Sequence, residues 1–315
     1  MDHGTGKAGG KEWDSLQYGP ERLEADVEYL QRRNPFLEVK TIGYSVAGRP
    51  IRAIRFGSGP ALLQINASVH ANEWITSLLL MRFAYELAEA ALPEAGGHAQ
   101  HGQMLPAEVL AKQVKVWLVP MVNPDGVELV LSGPDPASPL YADLLRWHGH
   151  EGSFHDWKAN LNGVDLNDQF PAHWEDEVRR RGLNGPGPRD YPGSAPLSEP
   201  EARALADFTE AENFDMVVAL HTQGEEIYWN YRGLEPPVSE RIALRLAGAS
   251  GYNPVKLTES DAGFKDWFIQ RFNRPGFTIE AGRGVNPLPV EEAGAIYSRI
   301  KPLLVEALKA AASLK

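Results

Sequence analysis

The sequence predicts a single α/β domain, and three observations lead to that prediction. Short apolar segments typical of buried strands alternate with amphipathic segments typical of helices. The chain has 315 residues and 43% of them are hydrophobic, which is enough for one sizeable core. No internal repeat and no domain linker interrupts this pattern. We therefore expect a flexible leader at residues 1–18, followed by a single folded domain at residues 19–315.

The individual elements follow from local patterns. Residues 19–33 favour a helix because their apolar side chains recur at helical spacing, and residues 38–45 and 51–57 favour two strands of a hairpin. The remaining predicted elements are a strand at 61–69, a helix at 73–91, a loop at 92–107, a buried strand at 114–122 with a turn at 123–126, an irregular stretch at 131–197, a helix from a capping box at 198–201 to residue 212, buried strands at 216–220 and 277–279, and a closing helix at 289–313. A long irregular stretch in a compact protein is typical of a functional surface.

Composition narrows the possible functions. The chain has no cysteine, which excludes disulfides, thiolate metal sites and cysteine nucleophiles. Its formal net charge of -11 argues against non-specific binding of nucleic acid. No signal peptide is visible, and no apolar run is long enough to span a membrane. We expect a cytoplasmic protein, and no pattern specifies an oligomeric state.

Polar residues follow three of the predicted buried strands. His70 follows the strand at 61–69, His221 follows the strand at 216–220, and Glu280 follows the strand at 277–279, while Glu73 begins the helix after His70. In open α/β sheets, ligands bind outside the carboxyl ends of the strands. A His and a Glu three residues apart, joined by a distant second His, supply the three protein ligands of a catalytic zinc site.

Each of these residues also has a plainer structural interpretation. A histidine at a strand end is commonly a hydrogen-bonded core residue, and Glu73 is placed to complement a helix dipole. Glu280 follows three apolar residues, where an unpaired carboxylate is costly to bury. Taken together, the four residues raise a metal site to the same standing as these separate explanations.

Several motifs, in this order along the chain, resemble the zinc carboxypeptidase family. They are His70-Ala71-Asn72-Glu73, Asn123-Pro124-Asp125-Gly126, Gly163-Val164-Asp165-Leu166-Asn167, Leu220-His221 and Phe277-Thr278-Ile279-Glu280. The resemblance implies a mixed, mostly parallel twisted sheet between helices. It also implies one Zn²⁺ on His70, Glu73 and His221, with Glu280 as the catalytic base that activates a zinc-bound water.

The segment 165–171 resembles one branch of that family, the γ-D-glutamyl-diaminopimelate endopeptidases that act on bacterial cell-wall peptides. Typical carboxypeptidases carry an Arg after the Asn of this motif, and here Asp168 follows Asn167. An Asp would repel a substrate carboxylate and suit an ammonium, although it could also merely cap a loop. Lys265 aligns with the family's specificity residue, where it would bind a substrate carboxylate unless it is simply a solvated surface residue.

Two further family groups are absent. The Arg expected before Gly163 is Asn162, and the expected Tyr aligns with Thr258. That Arg would stabilise the oxyanion, and losing one such donor costs about 10²–10³ in rate. Arg189 and Lys158 are both candidates to replace it.

The leading hypothesis is a zinc metallopeptidase that hydrolyses the γ-D-glutamyl–diaminopimelate bond of murein peptides. One alternative is a carboxypeptidase, amidase or deacylase of the same fold that acts on other small peptides or N-acyl amino acids. Another is a zinc-binding module without activity, which the residues Asn162 and Thr258 would explain.

Overall fold

The computed structural model describes residues 13–15, 17–35, 37–90, 112–149 and 152–315. Its main feature is an eight-stranded sheet with the order β1-β2-β4-β3-β5-β8-β6-β7. The strands are β1 (Glu38–Tyr44), β2 (Pro50–Phe56), β3 (Ala61–Ala67), β4 (Val114–Val119), β5 (Met216–His221), β6 (Glu226–Tyr228), β7 (Asn253–Val255) and β8 (Gly276–Glu280). The central strands β4, β3, β5 and β8 are parallel, and β2 and β6 flank them in the antiparallel direction. The mixed sheet implied by the family resemblance is therefore confirmed.

Helices cover both faces of this sheet. Those in the described residues are α1 (Pro20–Arg33), α2 (Ile75–Ala90), α3 (Pro124–Ser132), α4 (Tyr141–His148), α5 (Trp174–Arg181), α6 (Pro200–Glu212), α7 (Val238–Ser250), α8 (Phe264–Phe272) and α9 (Ala293–Ala312). Strand β5 shows why both faces need cover, because every residue in it is buried. Val218 packs into one hydrophobic core with α1, α2 and α9, and its neighbour Val217 packs into a second core with α6 and α8. A strand buried on both faces reads as a continuous apolar run.

The structure corrects three local predictions. The turn expected at 123–126 is the start of α3, where Asn123 accepts a hydrogen bond from the Gly126 amide. The stretch expected to be irregular contains α4 and α5. The capping box expected at 198–201 does not form, since α6 begins after Glu199 without a side-chain cap. The Glu201 carboxylate instead accepts a hydrogen bond from the Val46 amide.

The described part of the predicted leader packs against the domain. Trp13 and Tyr18 are buried in the first core, and the Tyr18 hydroxyl donates a hydrogen bond to Asp26. A flexible leader thus stays a prediction for residues 1–12, which lie outside the described residues, as does the loop predicted at 92–107. No helix in the described ranges is long and apolar enough to cross a lipid bilayer.

Candidate metal centre

The first two candidate ligands, His70 and Glu73, lie in a turn between β3 and α2 that hydrogen bonds from side-chain hydroxyls stabilise. A short 3₁₀ helix, Ala71–Glu73, follows His70 and leads into α2. Thr76 accepts a hydrogen bond from the Ser68 amide at 2.9 Å and donates one to the Glu73 carbonyl at 2.7 Å. The hydroxyls of Ser68 and Ser77 are 2.6 Å apart. These bonds tie the end of the strand to the start of the helix, so His70 and Glu73 have fixed backbones.

His221 joins these two residues in one buried group, here called the histidine cluster (His70, Glu73 and His221). Glu73 Oε1 is 2.8 Å from His70 Nδ1, and Glu73 Oε2 is 3.0 Å from His221 Nδ1. The two Nδ1 atoms are themselves 3.0 Å apart. Two facing imidazole nitrogens and a carboxylate offer more lone pairs than hydrogens, so the arrangement fits a cation. Two imidazoles and one carboxylate also match the ligand set of a catalytic zinc site.

Within the histidine cluster, the carboxylate is held in its ionised form. Burial raises the pKa of Glu73, but the facing imidazoles of His70 and His221 outweigh that effect and hold it below its ordinary value. Glu73 is therefore ionised, as a carboxylate ligand must be.

Asp165 supports His70 from the side away from the cluster. His70 Nε2 is 3.1 Å from Asp165 Oδ1, which also accepts a hydrogen bond from the Asn167 amide. Lys158 Nζ lies 3.0 Å from Asp165 Oδ2. An imidazole that donates from Nε2 keeps the lone pair of Nδ1 free, and Nδ1 faces Glu73 and His221. Asp165 had no assigned role in the sequence motif that contains it. Its role could have been predicted from the general rule that a metal-binding histidine donates its other ring N–H to an acceptor such as a carboxylate.

Glu280 is next to the histidine cluster but is not part of it. It ends β8, and the parallel register pairs it with His221, the last residue of β5. No described hydrogen bond or ion pair ties its half-buried side chain to another residue. Burial raises the pKa of Glu280 to about 8, and the charge of Glu73 adds to the rise while His221 opposes it. A carboxylate without a fixed partner beside a metal site is placed to transfer a proton.

The residues predicted to bind substrate have varied surroundings. Asn167 Oδ1 accepts a hydrogen bond from the Phe264 amide at 3.3 Å. Lys265 is buried, with its ammonium bonded to the Asn230 carbonyl at 2.7 Å and to the Asp266 carboxylate. Arg189 is exposed and donates to the Asp156 carbonyl. These contacts do not bring Lys265 or Arg189 to the histidine cluster.

Asp168 is buried and already paired with a cation. Its two carboxylate oxygens lie 2.7 Å from Arg181 Nε and 3.0 Å from Arg181 Nη2. The expectation that Asp168 is open to a substrate ammonium does not agree with this pairing. Arg181 comes from α5, in the stretch that the sequence had suggested was irregular.

The two departures from the family pattern also have structural counterparts. Thr258 is exposed to solvent, and Asn162 donates a hydrogen bond to Glu199 at 2.9 Å. Of the two candidates to replace the missing Arg, Lys158 lies beside the cluster. Burial lowers the pKa of Lys158, but the charges of Asp165, Asp168 and Glu73 outweigh it, so the ammonium stays protonated.

An α/β sheet with this cluster at the carboxyl ends of β3 and β5, and a free carboxylate at the end of β8, defines a metal-dependent hydrolase. The zinc carboxypeptidase model, peptidase family M14, matches residues 23–292. The chain therefore belongs to the zinc carboxypeptidase family, a family of zinc metallopeptidases.

Individual relatives agree with this membership. The chain is 47% identical over 272 residues to gamma-D-glutamyl-L-diamino acid endopeptidase 1 of Lysinibacillus sphaericus, covering 86% of this chain and 67% of that protein. It is 40% identical over 295 residues to the uncharacterized protein YqgT of Bacillus subtilis, covering 92% of this chain and 77% of that protein. Among solved structures, bovine thrombin-activatable fibrinolysis inhibitor shares the fold with a TM-score of 0.71 at 19% identity, covering 96% of this chain and 98% of that one.

Proposed function

We propose that this protein is a zinc metallopeptidase that hydrolyses the γ-D-glutamyl–diaminopimelate bond of murein peptides. The observation that carries the proposal is the histidine cluster, in which two Nδ1 atoms and the Glu73 carboxylate converge within 2.8–3.0 Å. The substrate class is supported by the 47% identity to a gamma-D-glutamyl-L-diamino acid endopeptidase.

One zinc ion per chain would be held by His70, Glu73 and His221. Bound zinc polarises a carbonyl oxygen and lowers the pKa of a water molecule toward 7. Asp165 keeps His70 in the tautomer that leaves Nδ1 unprotonated.

Glu280 moves the proton in this proposal. Its carboxylate accepts a proton from the attacking water and passes it to the nitrogen of the leaving amine. Proton acceptance needs the ionised form, and a cation bound nearby favours that form over the neutral one that burial favours.

Lys158 supplies positive charge on the same side of the sheet. Its ammonium is anchored 3.0 Å from Asp165 Oδ2, and its side chain is 21% exposed. A fixed cation near the scissile carbonyl stabilises the negative charge that develops on its oxygen. We assign this role to Lys158 rather than to Arg189, whose guanidinium is bonded to the Asp156 carbonyl.

The test is hydrolysis of L-Ala-γ-D-Glu-meso-diaminopimelate by the zinc-loaded protein, followed by chromatography for free L-Ala-D-Glu. We expect cleavage by the wild type and a loss of about 10²–10⁴ in kcat for Glu280→Gln, which removes the base. Glu240→Gln, the same change on an exposed part of α7, should keep full activity.

Two results would contradict the proposal. Release of ordinary C-terminal residues without cleavage of the murein tripeptide would show that the protein is a zinc peptidase with a different substrate. Equal turnover by the wild type and Glu280→Gln would remove Glu280 from the mechanism.

A further inference from the structure

Strand β6 presents two polar side chains beside Glu280. The antiparallel register pairs Glu226 with Glu280 and Tyr228 with Thr278. Paired residues in adjacent strands project to the same face of a sheet, with Cβ atoms about 4.5–5.5 Å apart. Glu226 and Tyr228 therefore line the face that carries the candidate catalytic base, whereas Ile227 between them is buried in the core.

The Glu226 carboxylate is oriented but has no cation of its own. Tyr228 donates a hydrogen bond of 2.6 Å to Glu226 Oε2. Within the described part of the chain, no Lys or Arg forms an ion pair with Glu226, although its neighbour Glu225 pairs with both Arg283 and Arg299.

Three buried aspartates, by contrast, are already neutralised by cationic side chains of the protein. Asp168 pairs with Arg181, Asp261 pairs with Arg232, and Asp266 pairs with Lys265. A half-buried carboxylate that is held in place and left without a cation favours a positively charged ligand.

We infer that Glu226, oriented by Tyr228, binds the side-chain ammonium of the diamino acid on the leaving side of the scissile bond. This inference rests on the proposed function. One amino group of that diamino acid forms the scissile amide, and the second is free and positively charged at neutral pH.

Two geometric points support this assignment. Glu280 delivers its proton to the leaving amine, so the residue paired with Glu280 is close to the leaving group. A side chain of three or four methylene groups spans roughly 5–6 Å, which is comparable with the separation of adjacent strands and their side chains. Glu226 is thus a specificity residue of the same active site.

The inference is tested with two substrates that differ only by the terminal amino group, L-Ala-γ-D-Glu-L-Lys and L-Ala-γ-D-Glu-L-norleucine. The measured quantity is the ratio of their kcat/KM values. We expect the wild type to prefer the lysine substrate, and Glu226→Gln to reduce that ratio about tenfold or more, because a charge-assisted bond is lost. Tyr228→Phe should reduce the ratio by a smaller factor, about threefold, because the carboxylate stays but loses its orienting bond.

Glu240→Gln is the matched control and should leave the ratio unchanged, since Glu240 is exposed on α7. Thermal unfolding of each variant checks that the fold is intact. A wild type that cleaves both substrates without preference, or an unchanged ratio in Glu226→Gln, would overturn the inference while leaving the proposed function in place.

Calorimetric titration of the zinc-loaded protein with L-lysine and L-norleucine separates the two proposals. If neither peptide is cleaved but L-lysine binds more tightly than L-norleucine, and Glu226→Gln removes that difference, the proposed function fails and the cation site stands. Equal affinity for the two amino acids would overturn the cation site.

Discussion

Two clusters near the ends of the central strands each bring three possible metal ligands within reach of one another. They are the histidine cluster and an aspartate cluster made of Asp165, Asp168 and Asp190. In the aspartate cluster, Arg181 contacts Asp168 and Asp190 at 2.7 Å each, and Lys158 contacts Asp165 at 3.0 Å. Among the described residues, no Lys or Arg forms an ion pair within the histidine cluster. Closeness of ligand atoms thus does not distinguish the two clusters, whereas the presence of neutralising Lys and Arg side chains in the aspartate cluster does.

The largest expected effect is on the histidine cluster itself. Replacing His221 by Ala removes one of the three proposed zinc ligands, so zinc affinity should fall by more than the ~10–100-fold that is typical of an outer partner. Asp190→Asn, in the aspartate cluster, should leave zinc content at one ion per chain. Metal content after dialysis, measured by atomic emission, checks both. Loss of zinc from Asp190→Asn would show that the ion occupies the aspartate cluster instead.

Breaking the aspartate cluster should cost stability rather than metal. Arg181→Ala leaves the buried Asp168 without its cation, so we expect the free energy of unfolding to fall by about 3–5 kcal/mol. Arg179→Ala is the control, because Arg179 pairs with Asp176 at an exposed position of the same helix and should change stability by less than about 0.5 kcal/mol. Urea unfolding measures both, and similar values for the two variants would refute the distinction.

Glu201 shows a third way to bury a carboxylate, with a proton in place of a metal or a cationic side chain. It is fully buried, forms no described ion pair, and burial raises its pKa to about 7. Its stabilising contribution is complete below about pH 4.5 and is lost as the pH rises through 7, because the unfolded chain releases the proton first. Between pH 5 and pH 8, wild type should therefore lose up to about 3 kcal/mol relative to Glu201→Gln.

Urea unfolding of both proteins at the two pH values measures their free energies of unfolding. The contributions of all other titrating groups are the same in both proteins and cancel in the difference. Parallel pH dependence would mean that Glu201 is ionised throughout and is stabilised by its hydrogen bonds to Val46 and Asn160.

The smallest expected effect concerns Asp165, which belongs to the aspartate cluster and also supports the histidine cluster. Asp165→Asn keeps an oxygen for His70 Nε2 but removes the charge, so zinc affinity should fall by about tenfold, the lower end for such partners. Competition with a chromophoric chelator measures the affinity. An unchanged value would show that His70 needs no charged acceptor.

The strands that carry the site could be predicted from the sequence because their pattern is local. The mostly apolar segments that lead to His70, His221 and Glu280 reflect burial on both faces of the sheet, and such burial is visible in one strand at a time. The helix α3 shows the limit of this approach, since Asn123 and Pro124 are equally typical of a turn and of a helix start.

The charge pairing of the site could not be predicted in this way. Asp168 suggested an open acidic site until its partner was known, and Arg181 lies 13 positions further along the chain in a helix with few apolar residues. Ser198 likewise suggested a helix cap, but its hydroxyl faces the side-chain oxygens of Gln169 and Glu199, at 3.2 and 3.0 Å. The pairing of acidic side chains with their partners depends on how the loops pack together, and no local sequence pattern predicts that packing.

The support of His70 by Asp165 spans 95 positions of the chain, and the contact of Glu73 with His221 spans 148. Contacts between such distant segments form slowly, because the entropy of closing long loops must be lost before they contribute stability. We therefore expect affinity for the metal to appear late in folding, after the segment around Asp165 has docked on the sheet. A chain still emerging from the ribosome would have the first two proposed ligands early, and we expect it to hold zinc weakly until residue 221 had been added.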